Sequence, residues 1–133
     1  MRLVIHCDGG SRGNPGPAGI GVVIADDQGE LIDEIGERIG DATNNVAEYR
    51  AVIRGLERAV ELEAEFVSLI GDSELVAKQI TGAYKVKHQD MKPLHAEVKA
   101  LLGEVGGWEI STVPRAQNSH ADRLVNEALD HIR

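Results

Sequence analysis

Three apolar, β-branched segments follow one another before any helical periodicity begins, and this order restricts the chain to a few architectures. Residues 2–7 (RLVIHC) read as a buried strand that stops at an Asp8-Gly9-Gly10 turn, and residues 19–25 (GIGVVIA) as a second strand. Asp26-Asp27-Gln28-Gly29 supplies a hairpin turn into a third, amphipathic strand over 30–38. The period then changes. Val46, Tyr49, Ile53, Leu56 and Val60 recur at alternating gaps of three and four, which predicts a helix over 45–62 capped by Thr43 or Asn44. Residues 66–71 (FVSLIG) predict a short buried strand, and 73–81 a helix with Ser73 as its cap. A third helix is expected from Asp90 and Pro93 to about Gly103, with Leu94, Val98, Leu101 and Val105 on one face and Gly106-Gly107 ending it. Residues 108–113 (WEISTV) form a strand closed by Pro114. The final helix begins near Asn118-Ser119, with Ala121, Leu124, Val125, Ala128, Leu129 and Ile132 inward, and Ser119 and Asp122 have the spacing of a capping box.

The order β-β-β-α-β-α-α-β-α implies an antiparallel meander followed by parallel neighbours reached through crossover helices. The expected architecture is α/β, a five-stranded mixed sheet with helices on both faces, in a single domain over residues 1–133. No internal repeat is present, and the turn-rich stretch 9–21 is too short for a linker.

Composition narrows the function. The net charge of −8 argues against holding nucleic acid by bulk electrostatics. Its distribution is uneven: residues 26–41 are strongly acidic, whereas Lys78, Lys85, Lys87 and Lys92 cluster with little opposing charge. One basic segment leaves room for a polyanion on one face, or is simply a solvated loop. Four aromatics, Tyr49, Phe66, Tyr84 and Trp108, are too few for a base-stacking RNA module. The single cysteine, Cys7, excludes zinc ribbons and an internal disulfide. The sequence shows no membrane span and no secretory signal pattern, so a cytoplasmic setting is expected, with no protein partner evident.

Two acidic residues follow buried strands: Asp8 after LVIHC and Asp72 after FVSLIG. If those strands are parallel neighbours, both carboxylates stand at one rim, beyond the carboxyl ends where α/β sheets bind ligands. Carboxylates that close repel unless a cation lies between them, and hard oxygen ligands suit magnesium or manganese. Glu48, at the margin of the first helix's apolar stripe, and Asp122, in the first turn of the last helix, complete four acids from four segments. Each also has a structural alternative: a turn former at Asp8, a surface charge at Glu48, a helix cap at Asp72, a dipole partner at Asp122.

Four segments together carry a resemblance: CDGGSRGNPGPAGIG at 7–21, TNNVAEYRAVIRGLE at 43–57, GDSELVAKQITGAYKVK at 71–87 and PRAQNSHADRLVNEAL at 114–129. In content, order and approximate spacing the chain resembles the ribonuclease H family, in particular ribonuclease HI of the short archaeal and bacterial type. The resemblance implies a ribonuclease H-like fold and hydrolysis of the RNA strand of RNA/DNA hybrids, giving 5′-phosphate and 3′-hydroxyl ends. It implies Asp8, Glu48, Asp72 and Asp122 as catalytic metal ligands for two Mg2+ ions, with Mn2+ possible, at the usual two-ion separation of about 3.5–4 Å. Asp8 is expected to bridge both ions. Asp72 and Glu48 are expected on the leaving-group side, and Asp122 beside the ion that positions water. Glu48 and the backbone at Gly9 and Gly10 are expected to read the 2′-hydroxyl. Asn14, Asn44 and Asn45 match family positions that contact the hybrid, and Asn14 and Thr43 those that grip a DNA phosphate.

Three departures stand out. The basic protrusion of longer members is absent, with GAYKVKHQD in its place. The loop between Pro114 and Asp122 is too short for the histidine-bearing loop of longer members, so His120 is not equated with that histidine. Arg115 is the nearest substitute for it in short members, and it is expected to join Lys85 and Lys87 in binding substrate. Two other readings compete: an inactive hybrid-binding module, which would not need four clustered acids, and a resolvase or transposase core, which the GNPGPAG and TNN segments disfavour. A P-loop is excluded, since no G-x-x-x-x-G-K-[ST] occurs.

Overall fold

The computed structural model describes residues 1–130. Its strands are β1 (Arg2–Ser11), β2 (Gly16–Asp26), β3 (Leu31–Ala42), β4 (Phe66–Gly71) and β5 (Trp108–Thr112). Its helices are α1 (Asn44–Glu61), α2 (Glu74–Thr81), α3 (Lys92–Leu102) and α4 (Ser119–Asp130), with a 3₁₀ turn over Arg115–Asn118. The sheet order is β3-β2-β1-β4-β5. β1 pairs antiparallel with β2 and parallel with β4, so the meander and the crossover half meet along β1. This is the expected five-stranded mixed α/β sheet. Of the expected apolar face of the last helix, Ile132 lies outside the described residues.

The alternation of β2 sends Ile20, Val22 and Ile24 into the main core and leaves Gly19 and Gly21 facing α4. On the core side, α1 buries Tyr49, Ile53, Leu56 and Ala59, and at Gly55 it lies against Ile5, Cys7 and Val22. Each fully buried aliphatic side chain contributes about 1.5–3 kcal/mol, so this face anchors α1. On the opposite side α4 lies against β2, β3 and β1. A Cβ on Gly21 would stand 2.1 Å from the Ala121 carbonyl oxygen, so glycine is what lets α4 approach the sheet.

Local chemistry sets the helix starts. The Thr43 hydroxyl accepts from the Val46 N–H at 3.2 Å, and the Ser73 hydroxyl from the Val76 N–H at 3.3 Å. In the β2–β3 turn the Asp26 carboxylate accepts from the N–H groups of Gln28 and Glu30.

Three local expectations are corrected. Asp8-Gly9-Gly10 is not a turn: β1 continues through it to Ser11, because residues 18–21 of β2 keep pairing with it, Asp8 opposite Gly21 and Ser11 opposite Ala18. The third helix does not begin at Asp90: α3 starts at Lys92, without a side-chain cap and with Pro93 in its first turn, where the missing N–H needs none. Ser119 is already helical and continues directly from the 3₁₀ turn, so it forms no capping box with Asp122.

Candidate active site

The paired register of β1 and β4 ends at His6 and Ile70. Asp8 lies just beyond on β1, and Asp72 follows β4. α1 delivers Glu48 from its first turns, held by the Thr43 cap. Oxygens of Asp8, Glu48 and Asp72 all lie within 4.8 Å of one another, the one such acidic cluster among the described residues. Glu48 Oε1 accepts the Gly9 N–H at 3.1 Å. A Cβ on Gly9 would stand 2.3 Å from the backbone of Ala47, so glycine there lets α1 bring Glu48 against the strand.

Asp122 enters from the first turn of α4 and contacts Asp8. Its carboxylate is 3.4 Å from the Arg115 guanidinium and 3.4 Å from the Asn126 amide, which donates to it. Burial, then repulsion from Asp72 and Asp122, holds the Asp8 carboxyl well above the ordinary carboxylate range. Burial and Asp8 raise Glu48 in the same direction, against the Gly9 N–H, which favours its charged form. Burial also pushes the Cys7 thiol up, so it is not a nucleophile here.

These groups open into a cavity of about 440 Å³ whose wall includes Gly10, Asn44, Asn45, Arg12 and Arg115. The Asp72 Oδ2 atom is buried without a hydrogen-bond partner. A buried carboxylate oxygen lacking a donor, beside two acids that resist ionisation, fits a hard divalent cation shared by the cluster.

The other expected site residues divide. Gly9 and Gly10 lie beside the cluster and Asn44 and Asn45 on the cavity wall. Asn14 and Thr43 do not line it: Thr43 caps α1, the Asn14 carbonyl oxygen accepts from the Asn44 N–H at 3.0 Å, and Asn44 in turn accepts from the Ser11 N–H at 2.8 Å. Lys85 lines a different hollow, with Lys92, His95 and Lys99, and Lys78 is tied to Glu74 and Tyr84. Lys87 is exposed and lines neither cavity, and His120 turns to Glu34 of β3. The basic groups on the carboxylate cavity are Arg12 and Arg115. The sequence pointed to Arg12 only as an alternative place for the basic groove, not as an expected site residue, and to Asn118 only as a helix start. Arg12 joins the cavity because β1 runs on beyond Asp8.

The family described as reverse transcriptase-like matches residues 6–128. Ribonuclease HI of Halobacterium salinarum is 46% identical over 97% of this chain and 65% of its own length. The crystal structure of that organism's RNase H1 superposes with a TM-score of 0.95 at 45% identity, over 98% of both chains. The chain belongs to the ribonuclease H family. Another member, LC11-RNase H1 in complex with an RNA/DNA hybrid, is 44% identical over 96% of both chains, with a TM-score of 0.91. The bifunctional protein Rv2228c of Mycobacterium tuberculosis is 48% identical over 98% of this chain. The chain spans 36% of that protein's length, so among ribonuclease H relatives the domain also occurs within longer polypeptides. Dependence on divalent metal, general in the ribonuclease H family, agrees with the acidic cluster.

Proposed function

We propose that this chain hydrolyses the RNA strand of RNA/DNA hybrids, leaving 5′-phosphate and 3′-hydroxyl ends, and that its two cations are magnesium, with manganese as the alternative. The observation that carries this reading is the convergence of Asp8, Glu48 and Asp72 within 4.8 Å, with an Asp72 oxygen buried and unpartnered. The hybrid held by LC11-RNase H1 supports the choice of substrate. Divalent cations, when bound, offset the charge that develops on the attacking and leaving oxygens. When such ions bind, Asp8 would be shared between them, Asp72 and Glu48 would hold the one nearer the leaving group, and Asp122 would hold the one nearer the attacking water.

The remaining residues bind and orient the duplex. Gly9 and Gly10 offer close backbone approach to the 2′-hydroxyl, with Glu48 as its acceptor. Thr43 and Asn14 grip a DNA phosphate. The Thr43 hydroxyl accepts from Val46, and the Asn14 and Asn44 carbonyl oxygens accept internally, so their O–H and NH2 groups remain as donors, which is what a phosphate requires. Asn45 and Arg115 contact the hybrid from the cavity wall, and Lys85 and Lys87 follow its backbone further out. Residues 1–133 act as one domain, in the cytoplasm.

Strand-labelled RNA/DNA, RNA/RNA and DNA/DNA duplexes, incubated with Mg2+, Mn2+ or excess chelator, test the proposal. Metal-dependent cuts in the RNA strand of the hybrid are expected. Cutting that persists in chelator, or that falls equally on DNA/DNA, overturns it.

A further inference from the structure

Asn118 is 1% exposed, at the end of the 3₁₀ turn, and its side chain reaches across 111 residues of sequence to the central strand. Its Nδ2 donates to the Cys7 carbonyl at 2.8 Å. The Cys7 carbonyl faces the gap between β1 and β4, where a Cβ on Gly71 would lie 3.4 Å from its oxygen. No rung of the ladder is available there, since the β1–β4 register has ended at His6 and Ile70. A carbonyl can only accept, so this contact dictates which end of the amide points at β1.

The spacing gives the contact a second consequence. Asn118 and Asp122 are four residues apart where the 3₁₀ turn runs into α4, so they lie on one face, one turn apart. The first meets residue 7 of β1 through its backbone, and the second meets residue 8 through its side chain. The 3₁₀ turn also touches both β1 and β4.

We propose that Asn118 is a positioning residue for the metal centre: by bonding the Cys7 carbonyl where pairing with β4 has ended, it pins the end of β1 and fixes the register of α4, so that Asp122 meets Asp8. This rests on the proposed metal-dependent hydrolysis and assigns to it a residue that touches neither cation nor substrate. Asn118 acts through Cys7 and Asp122, so its loss impairs metal affinity and turnover, while the surfaces that hold the duplex stay in place.

Asn118→Leu keeps the volume and removes the donor, and Asn118→Ala removes both. Manganese chloride is titrated calorimetrically into wild type and variants, and hybrid hydrolysis is measured against Mg2+ and against substrate. Both variants are expected to bind Mn2+ at least about 10-fold more weakly and to need correspondingly more Mg2+, the range typical of groups that orient metal ligands. kcat falls with metal affinity, and KM for the hybrid at saturating Mg2+ changes less than about 2-fold. Val98→Ala, in the α3 core, controls for general destabilisation and leaves Mn2+ affinity unchanged. Should neither Asn118 variant keep its far-UV spectrum, the wild-type side-chain amide is read by NMR. Slow solvent exchange and a shift on Mg2+ addition are expected, and fast exchange without a shift rejects the role. Wild-type Mn2+ affinity in folded Asn118→Leu also overturns the positioning role. A wild type that neither binds Mn2+ nor cuts the hybrid overturns the functional reading instead.

Discussion

Asp8 sits where burial, Asp72 and Asp122 all oppose its ionisation. Its carboxyl is pushed up to about 7 and that of Glu48 to about 9. A carboxyl whose folded pKa is raised favours folding below its ordinary pKa, and that contribution is lost as pH rises through the folded value. Metal-free protein therefore sheds stability as pH climbs from the ordinary carboxylate range towards 9. Asp8→Asn removes one repelling charge, so its metal-free melting temperature should exceed that of wild type, by more at pH 9 than at pH 5. Each kcal/mol of relieved repulsion corresponds to about 4 °C in a domain of this size. The same variant should show no detectable hybrid hydrolysis, because a neutral amide cannot bridge two cations. Thermal melts at the two pH values check the first part: a variant less stable than wild type at pH 9 contradicts the repulsion. Near-normal turnover removes Asp8 from the metal site. In the sequence these four acids stood out as candidates, two after β-rich runs and two on helix turns, and only the family resemblance grouped them as one site. The unpartnered Asp72 oxygen and the Asn118 contact were not legible there, since both depend on chain segments distant in sequence.

At the scale of elements, α1 connects cap chemistry to the site. The Thr43 hydroxyl satisfies an N–H of the first turn, the turn that leads to Glu48. Thr43→Ala should cost about 1 kcal/mol, read as a lower urea midpoint with unchanged slope, and Thr43→Ser should keep most of it. If Thr43 also grips a phosphate, Thr43→Ala raises KM, and Thr43→Ser restores it. An unchanged midpoint in Thr43→Ala contradicts the cap. Caps and the β2–β3 turn were readable because they use side chains within four residues of the backbone they satisfy. The run Asp8-Gly9-Gly10 misled for the opposite reason. Its glycines have turn-like composition, but Gly9 is needed for the approach of α1, and pairing with β2 keeps the segment extended.

For the whole molecule, the question is how a chain of net charge −8 holds a polyanion. Arg12 and Arg115 lie on the carboxylate cavity, but Arg12 is 2.6 Å from Asp130 and Arg115 faces Asp122. Lys85 and Lys87, both exposed and outside that cavity, are basic groups available for a more distant contact. Their joint replacement by alanine should raise KM and flatten its dependence on salt, with kcat nearly unchanged, because each lost phosphate contact lowers the counterion slope by roughly 0.9 for B-form DNA. Wild-type KM at low and high salt would assign the grip to the arginines alone. Stability and metal are separable at this scale too. The core is built from α1, α2, α3 and the sheet, so excess chelator should abolish hydrolysis while leaving the far-UV circular dichroism intact. Added Mg2+ should raise the melting temperature, since it binds the folded state alone. Loss of the spectrum on chelation would mean that metal holds the fold.

Period and punctuation in the sequence determined the element order, the sheet composition and the Thr43 and Ser73 caps, because each is a local matter of hydrophobic spacing or of a side chain bonding its neighbours. Tertiary structure decided which of those groups meet. It extended β1 past Asp8, turned His120 towards Glu34, set Lys85 in a separate hollow and brought Asn118 to Cys7. Those outcomes follow from close packing of α1 and α4 on opposite faces of one sheet and from the point at which the pairing of β1 and β4 ends. Both depend on contacts between segments far apart in the chain, which no local pattern encodes.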